Sequence, residues 1–303
     1  MTDSPALQPP DRHYVLGGKR FLARPLEPGL HVVATPIGNL RDMTIRAIET
    51  MAAAAIVACE DTRVTRRLVD HFGLSTKLVP YHEHNAAEMR PKLLARLAAG
   101  DSVALVSDAG TPLVSDPGFK LVEAAREAGH AVVPVPGPSA VMAALVAAGL
   151  PTDAFFFAGF LPPKTVGRRG RARDLAAVPG SLVFFETGPR LAASLTDLAA
   201  ELGDREAAVC RELTKTHEEV RRGRLGDLAT HYAAAGEPKG EIVLVVAPPG
   251  EASPPAADDV DAMLRAALAQ GSVKDAATAV ATATGLPRRD VYQRALQLAK
   301  DAG

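Results

Sequence analysis

Polar turns that contain glycine follow several apolar runs of this sequence, and the turn richest in side-chain acceptors spans residues 107–118. It reads SDAGTPLVSDPG, follows the apolar run Val103–Val106 and completes two copies of the pattern Val-Ser-Asp-x-Gly. Asp116 and Pro117 are residue types preferred at a helix N-cap and at the first helical position. A buried strand, a glycine turn and a helix N-terminus bring backbone N–H groups to the carboxyl end of a sheet, where open α/β folds bind ligands. We therefore predict a ligand site at this turn.

The same kind of turn recurs along the chain, in TPIGN (35–39), PGPSA (136–140), FFETG (184–188) and PKGEI (238–242). We expect these turns to line a cleft between two domains, with backbone amides and small side chains rather than cations on its walls. Such a cleft suits a ligand that carries its own positive charge. The first strand is followed by TPIGN and not by GxGxxG, and there is no Walker lysine motif, so neither nucleotide fingerprint is supported.

Titratable side chains follow two further apolar runs, in CEDTR (59–63) and YHEHN (81–85). Carboxylates and imidazoles can accept a proton during catalysis. The candidates for a general base are Glu60, Asp61, His82 and His84. The first two could instead form a local ion pair and a helix cap with Arg63. The two histidines could form a metal pair, but no third ligand has a suitable spacing, so we predict no metal.

Two clusters of cations stand out in a chain whose formal net charge is only -1. They are Lys164, Arg168, Arg169, Arg171 and Arg173, with no acid between them, and Arg211, Lys215, Arg221, Arg222 and Arg224. Most charge runs are solvated helix faces. Positive charge concentrated beside a cleft is also typical of phosphate contacts. On this ground we favour RNA as a partner. The predicted contacts to it are Arg63, Lys164, Arg168, Arg169, Arg171, Arg211 and Lys215.

The composition is that of a globular protein, with 47% hydrophobic and 23% charged residues among 303, which is enough chain for two α/β domains. Cys59 and Cys210 lie in apolar runs without CxxC spacing, which argues against a disulfide framework and a zinc site. The chain does not open with a signal peptide, and its longest apolar runs are too short to span a bilayer. We expect a cytoplasmic protein without membrane association.

Strand and helix patterns alternate from residue 30 onward, which predicts a parallel, doubly wound sheet in the first domain. The pattern pauses around residues 149–153, and a second α/β unit follows. The predicted divisions are a flexible leader (1–28), an N-terminal α/β domain (29–150), a C-terminal α/β domain (151–248), a linker (249–257) and a helical segment (258–303). The predicted fold class is therefore α/β: two α/β domains that face each other across a cleft, plus a small all-α segment at the C-terminus.

The last segment has only helical periodicity, and glycines divide it into three helices. The last two are joined at Gly285-Leu286-Pro287, and Arg288 and Arg289 open the final helix. This arrangement resembles a helix-turn-helix. A plain helical appendage fits the pattern equally well, because such hairpins are common and the turn has little sequence specificity.

Taken together and in order, the motifs resemble those of the ribosomal small-subunit methyltransferase I family, within the tetrapyrrole-methylase superfamily. The matching segments are VVATPIGNL (32–40), CEDTR (59–63), YHEHN (81–85), SDAGTPLVSDPG (107–118), PGPSA (136–140), GFLPPK (159–164), RELTKTHEE (211–219) and KGEIVLVV (239–246). The resemblance implies an enzyme that binds S-adenosylmethionine in the interdomain cleft. It also implies methylation of the ribose 2'-hydroxyl of cytidine 1402, in the decoding centre of 16S rRNA in the small ribosomal subunit. Homodimers are usual in the superfamily, so a homodimer is expected.

The resemblance and the turn chemistry together assign the cofactor-binding residues. They are Pro36, Gly38, Asn39, Ser107, Asp108, Ala109, Gly110, Thr111, Ser115, Asp116, Pro138, Ser139, Ala140, Glu186 and Gly240. The chain departs from the family after Glu186, where Gly188-Pro189-Arg190 replaces the usual Pro-His-Arg. The missing histidine removes one possible polar contact.

Two other functions are compatible with the same residues. A methyltransferase of this fold could act on a tetrapyrrole or on a protein, although such an enzyme would not need the basic stretch Lys164–Arg173 or the helical tail. A DNA-binding regulator could act through residues 258–303. Incorporation of a labelled methyl group into rRNA, into a small molecule or into neither distinguishes the three functions.

Overall fold

The computed structural model describes residues 12–113, 118–250 and 257–301. They form two compact units, which divide at Pro249. The unit before Pro249 holds two five-stranded sheets and a small hairpin. The unit after it is helical.

The described part of the predicted leader forms a hairpin of β1 (His13–Leu16) and β2 (Lys19–Leu22). Gly17 and Gly18 join the strands with φ of 55° and 76°, as a tight two-residue hairpin turn requires. Tyr14 is 7% exposed and its ring stacks on Phe21. The expectation of a flexible segment up to residue 28 is wrong for this part, because Tyr14 packs into the core of the first sheet.

The first sheet and its helices follow the predicted alternation. In chain order the elements are β3 (Gly29–Val33), α1 (Ile45–Ala53), β4 (Ile56–Cys59), α2 (Thr62–His71), β5 (Leu78–Pro80), α3 (Ala86–Ala98), β6 (Ser102–Val106), α4 (Phe119–Glu127), β7 (Val132–Val135) and α5 (Ala140–Ala148). The strand order is β5-β4-β6-β3-β7, and all pairs are parallel. The predicted parallel sheet is confirmed.

Helices cover both faces of this sheet, so its central strand β6 is buried along its whole length and is apolar after Ser102, as is typical of parallel strands. All five residues of β6 are buried. α1, α2 and the hairpin share one core with Val33, Val57 and Val106. α3 and α4 share the opposite core with Leu30, Ala58 and Leu105. The carboxyl ends of the five strands therefore meet at one edge, which we call the carboxyl edge.

The second sheet has a different topology. Its elements are β8 (Phe155–Phe160), α6 (Thr165–Leu175), β9 (Ser181–Thr187), α7 (Gly188–Leu202), β10 (Glu206–Arg211), β11 (Glu219–Arg224), α8 (Leu225–Ala235) and β12 (Glu241–Val246). The strand order is β11-β10-β12-β9-β8, and only β8 and β9 are parallel. α6, α7 and α8 cover one face.

The other face of the second sheet is covered by α5. Val141, Ala144 and Leu145 pack there against Val183, Cys210 and Val245. The predicted domain division places this helix in the first domain, because it directly follows β7. Its sequence AVMAALVAA is apolar on all sides, although Met142 and Val146 are exposed. α5 thus joins the two sheets.

The helical unit consists of α9 (Ala257–Leu268), α10 (Val273–Thr284) and α11 (Arg288–Asp301), as the periodicity predicted. Its core contains Leu264, Ala277, Val280, Val291 and Ala295. Within the described ranges, every helix is too short or too polar to cross a membrane.

A buried ion pair fastens α6 to α7. Arg168 is 3% exposed, its Nε donates to Asp197 Oδ2 at 2.7 Å, and its other nitrogens donate to the Pro163 carbonyl and the Thr165 hydroxyl. The neighbouring Arg169 donates to Glu201 at 2.6 Å but is half exposed. Removing one partner of a buried pair leaves an uncompensated charge, whereas an exposed pair contributes little.

We expect Arg168→Ala to lower the free energy of unfolding by about 3–5 kcal/mol and the control Arg169→Ala to lower it by about 1 kcal/mol or less. Urea unfolding followed by circular dichroism measures both losses. Equal losses for the two variants would contradict a structural role that is specific to Arg168.

Candidate active site

A cavity of about 290 Å³ lies between the two sheets. Three groups of residues line it. The turns of the first sheet contribute Ile37, Ala109, Gly110 and Thr111. The start of α5 contributes Ser139, Ala140 and Val141. The second sheet contributes Phe160, Phe185, Glu186, Thr187, Gly240, Glu241, Ile242 and Val243.

The two turns of the first sheet are held together by backbone hydrogen bonds. Thr35 and Gly110 exchange N–H···O bonds of 2.9 and 3.0 Å. The Ser107 hydroxyl donates to the Gly110 carbonyl, and the Thr35 hydroxyl donates to the Ser107 carbonyl, both at 3.0 Å. Gly110 has φ of 83°, and a Cβ there would lie 3.2 Å from the Ile37 side chain. Glycine is therefore required at position 110, where the backbone without a side chain forms part of the cavity wall.

The N-terminus of α5 forms a second wall. The Ser139 side chain caps the helix by accepting from the Met142 amide. The Thr111 hydroxyl donates to the Pro138 carbonyl at 3.1 Å, which fastens this helix start to the turn after β6. The first backbone N–H groups of a helix have no partner within it and carry a partial positive charge. This wall can therefore bind a carboxylate or another oxygen acceptor.

The wall from the second sheet is apolar and acidic. The rings of Phe160 and Phe185 meet edge to face at 5.5 Å. Glu186 is 3% exposed; its carboxylate accepts from the Ser194 hydroxyl at 2.5 Å and from the Thr187 amide at 2.8 Å. Arg190 lies 3.3 Å from the same carboxylate. These three contacts hold the Glu186 carboxylate in place at the cavity.

Gly188 lies just beyond this wall, at the start of α7. A Cβ there would lie 1.8 Å from the Pro238 carbonyl oxygen. Only glycine allows the loop before β12 to sit directly on the start of α7. That loop leads into Gly240 and Glu241, which line the cavity.

Titratable groups collect at the carboxyl edge, beside the cavity residue Ala109. Asp108 accepts the backbone N–H of Asp61 at 3.0 Å. Burial, and then the negative charge of Asp108, raises the pKa of Glu60, and the charge of His82 opposes that rise. Burial also raises the pKa of Asp108. Glu60 makes no hydrogen bond or ion pair with any residue that the structure describes.

The four predicted bases therefore differ. Asp61 caps α2 and binds the Arg63 guanidinium at 2.6 Å, and these hydrogen bonds lower the pKa of Asp61 to about 2. His82 has a buried Nδ1 without a hydrogen-bond partner in the described ranges. His84 is exposed, with its ring 6.0 Å from that of His82. The alternative of a local ion pair is confirmed for Asp61 and Arg63, whereas Glu60 remains available.

The predicted cofactor residues separate into two groups. Those that line the cavity are Ala109, Gly110, Thr111, Ser139, Ala140, Glu186 and Gly240. Those that do not line it are Pro36, Gly38, Asn39, Ser107, Asp108 and Pro138. Asn39 instead caps a short 3-10 helix, Leu40–Asp42, and Ser107 and Pro138 act through the hydrogen bonds given above. Ser115 and Asp116 lie outside the described residues.

Eight lining residues were not predicted from the sequence, and six of them are apolar. The missed residues are Ile37, Val141, Phe160, Phe185, Thr187, Glu241, Ile242 and Val243. Most lie inside or next to the turns that were singled out, so proximity to those turns was the available signal. Which apolar side chains face the cavity depends on how the two sheets pack.

The predicted RNA contacts need one clear correction. Arg168 is wrong, because its guanidinium is buried against Asp197 and cannot reach a phosphate. Arg169 pairs with Glu201, Arg211 with Glu219, and Lys215 with both Glu212 and Glu241. Arg63, Lys164 and Arg169 are exposed, and Arg171 is half-buried. Among the residues that are described, no set of three His, Cys, Asp or Glu side chains is placed to hold a metal ion.

Two solved structures share this fold. Uroporphyrin-III C-methyl transferase from Thermus thermophilus, complexed with S-adenyl homocysteine, aligns with a TM-score of 0.52 and 19% identity over 72% of this chain and 97% of that one. Diphthine synthase aligns with a TM-score of 0.55 and 18% identity over 72% and 90%. At these identities the likeness shows the fold alone. The family Tetrapyrrole (Corrin/Porphyrin) Methylases matches residues 29–229, and the protein is of that class.

The curated relatives are more specific. Ribosomal RNA small subunit methyltransferase I of Mesorhizobium japonicum is 54% identical over 95% of this chain and 98% of the relative. The protein of the same name from Escherichia coli O157:H7 is 44% identical over 88% and 94%. Residues 254–299 match the RsmI C-terminal HTH domain. The chain belongs to the ribosomal RNA small subunit methyltransferase I family.

We expect Glu60 to titrate at a higher pH than an ordinary glutamate, while Asp61 stays ionised down to about pH 2. Asp108→Asn should lower the pKa of Glu60, because a repulsive charge is removed. His82→Ala should raise it, because an attractive charge is lost. Carboxyl-resolved NMR titration measures these shifts, with Glu123→Gln on the exposed side of α4 as the neutral control. Shifts of the same sign in the first two variants would contradict the arrangement.

Proposed function

We propose that this protein transfers the methyl group of S-adenosylmethionine to a ribose 2'-hydroxyl of small-subunit rRNA, at a cytidine of the decoding centre in 16S rRNA. The observation that carries the proposal is the correspondence with relatives named ribosomal RNA small subunit methyltransferase I, which extends over nearly their whole length. An enzyme that acts on ribosomal subunits works in the cytoplasm.

The cavity fits the methyl donor in chemistry. Its volume of about 290 Å³ is near the lower end of the range for small-molecule sites, roughly 300–1,000 Å³, so the donor would bind in a compact, folded form. The amides at the start of α5 would receive its carboxylate, and the phenylalanine rings would pack on its base. Glu186 and Glu241 supply the negative charge that a sulfonium and an ammonium favour. Among the residues that the structure describes, neither a lysine nor an arginine lines the cavity.

The transfer itself needs alignment and removal of one proton. The 2'-oxygen forms a bond to the methyl carbon as the carbon–sulfur bond breaks, and the electron pair of that bond goes to sulfur. Holding the oxygen in line with the methyl group supplies most of the acceleration, about 7–11 kcal/mol in well-oriented reactions. The hydroxyl proton must go to a base, which contributes about 10²- to 10⁴-fold.

Glu60 is the base that the geometry favours. Asp61 is held by Arg63 with a pKa of about 2, and a carboxylate so stabilised is a weak proton acceptor. Glu60 has no such partner among the described residues, and burial raises its pKa. A base is most effective when its pKa approaches the working pH. His82 is a positioning residue beside it, whose buried Nδ1 has no hydrogen-bond partner in the parts of the chain that are described.

A second copy of this chain would cover the exposed side of α5. Val146 is 80% exposed, Met142 is 51% exposed, and Phe155 on the neighbouring β8 is 44% exposed. Grooves lined by Met142, Val146 and Leu213, and by Met142, Phe155 and Phe157, run over this surface. An apolar patch of this kind is typical of a homodimer interface. The proposed dimer interface therefore borders the cavity at Ser139.

The function is tested by incubating the protein with methyl-labelled S-adenosylmethionine and small ribosomal subunits that lack the modification. We expect label in the 16S rRNA, at a ribose that resists alkaline cleavage after methylation. Label that enters only a porphyrin-like acceptor or a protein would refute the rRNA assignment.

In the same assay, we expect Glu60→Gln to reduce the single-turnover rate by about 10²- to 10⁴-fold and to leave donor affinity by calorimetry unchanged. The wild-type rate should rise with pH through the pKa of Glu60, because the base acts when ionised, and Asp108, His82 and Asp61 are the charged groups that face it. His84→Ala is the control and should retain the wild-type rate. A Glu60→Gln variant with the wild-type rate and pH profile would show that another group accepts the proton.

Sedimentation equilibrium should give twice the mass of one chain for the wild type. Val146→Glu should shift the protein towards monomer, because a charge in the interface is costly to bury. Val166→Glu is a matched control on α6, where Val166 is 86% exposed. A wild-type monomer, or equal dissociation of both variants, would rule out this interface.

A further inference from the structure

We propose that the outer face of α2, together with the hairpin β1–β2, binds the phosphate backbone of RNA that flanks the methylated nucleotide. This inference rests on the proposed function and names a surface for its substrate. The surface consists of Arg66 and Arg67 on the helix and Lys19, Arg20 and Phe21 on the hairpin, and we call it the α2–hairpin surface.

α2 separates cations from apolar residues completely. Arg63, Arg66, Arg67 and Asp70 are exposed at positions i, i+3, i+4 and i+7, which lie on one side of a helix. Thr65, Leu68 and Val69 are buried on the other side. The guanidinium groups of Arg63, Arg66 and Arg67 therefore point to solvent. Asp70 is the acid at the far end of this row.

The arginines of this row are available in a way that those of α6 are not. Arg66 and Arg67 make no hydrogen bond or ion pair within the described ranges. On α6, by contrast, Arg168, Arg169 and Arg173 are all paired with acids of α7. An unpaired guanidinium can bind a phosphate through two parallel hydrogen bonds without first losing a carboxylate partner.

α2 also extends from the proposed base towards the hairpin, as a surface that binds the flanking RNA requires. α2 starts at Thr62, directly after Glu60 and Asp61 at the carboxyl edge. Its ten residues extend for about 15 Å. At its far end the Phe72 carbonyl accepts the Val15 N–H of the hairpin at 2.7 Å. One end of α2 thus follows the proposed base, and the other end is hydrogen-bonded to the hairpin.

The hairpin continues the cationic surface and adds an aromatic ring. Residues 12–26 contain four lysines and arginines and no acid. Lys19 and Arg20 are exposed, and Phe21 is 43% exposed although one face of its ring stacks on Tyr14. A cationic strand with an open aromatic face is the combination that single-stranded nucleic acid binds, through phosphate contacts and base stacking. The hairpin precedes residue 29, where the methylase family match begins.

The test compares charge-matched variants of the full-length protein. Arg66→Ala with Arg67→Ala removes two cations from the proposed surface. Lys120→Ala with Arg126→Ala removes two exposed cations from α4, on the opposite face of the sheet. Affinity for small ribosomal subunits is measured by filter binding at several salt concentrations, alongside donor affinity by calorimetry and the methyl-transfer rate at saturating subunits.

We expect the α2 variant to bind subunits at least tenfold more weakly. The slope of log affinity against log salt should fall by roughly 0.7–0.9 for each lost phosphate contact. Donor affinity and the saturated rate should stay at the wild-type value, and the α4 control should match the wild type throughout. A third variant, Lys19→Ala with Phe21→Ala, should also weaken subunit binding and spare the donor.

An α2 variant with the affinity and salt slope of the α4 control would overturn this inference while leaving the proposed function intact. Loss of donor affinity in the α2 variant would also overturn it, because the effect would then be structural. A wild-type protein that methylates no rRNA would refute the proposed function, and the inference with it.

Discussion

The backbone pairing of Thr35 with Gly110 is the constraint on which the site depends. It joins the turn after β3 to the turn after β6, so two loops that could each move alone form one shelf. Gly110 makes this possible because a side chain there would meet Ile37 in a strained backbone conformation. The same turn carries Asp108, which holds the Asp61 amide. The donor cavity and the titratable cluster are therefore positioned by a single structural unit.

The electrostatics of the protein depend on which charges have partners. The most concentrated run of cations, on α6, is largely neutralised by Asp197 and Glu201 of α7, and one of its arginines is buried. The arginines of α2 are fewer, and Arg63 is paired with Asp61, but Arg66 and Arg67 keep their hydrogen-bonding capacity. A phosphate chain would be attracted where guanidinium groups are free and not where they are merely numerous. The net charge of -1 does not reveal this difference.

The two sheets contribute different chemistry to the cavity. The first sheet supplies backbone amides, small side chains and a helix start, all of which favour oxygen acceptors. The second sheet supplies phenylalanine rings and two glutamates, which favour apolar and positive groups. Gly188 allows the loop after α8 to close on this second wall, because the Pro238 carbonyl occupies the space of a side chain. Glycine at position 188 thus has a structural consequence at the edge of the cavity.

Local patterns in the sequence determined the alternation of strands and helices after residue 28 and the parallel first sheet, because apolar periodicity and turn residues act over short distances. They also pointed to Gly110, Ser139 and Glu186, which line the cavity, because each lies in a polar turn at or shortly after the end of a strand. Only the tertiary structure decided that Arg168 is buried, that α5 packs on the second sheet and that Tyr14 anchors a hairpin. It also separated Glu60 from Asp61, which are adjacent in sequence and differ in their partners. These outcomes depend on residues distant in the chain, and no local pattern specifies which acid reaches a given arginine or which core receives a given ring.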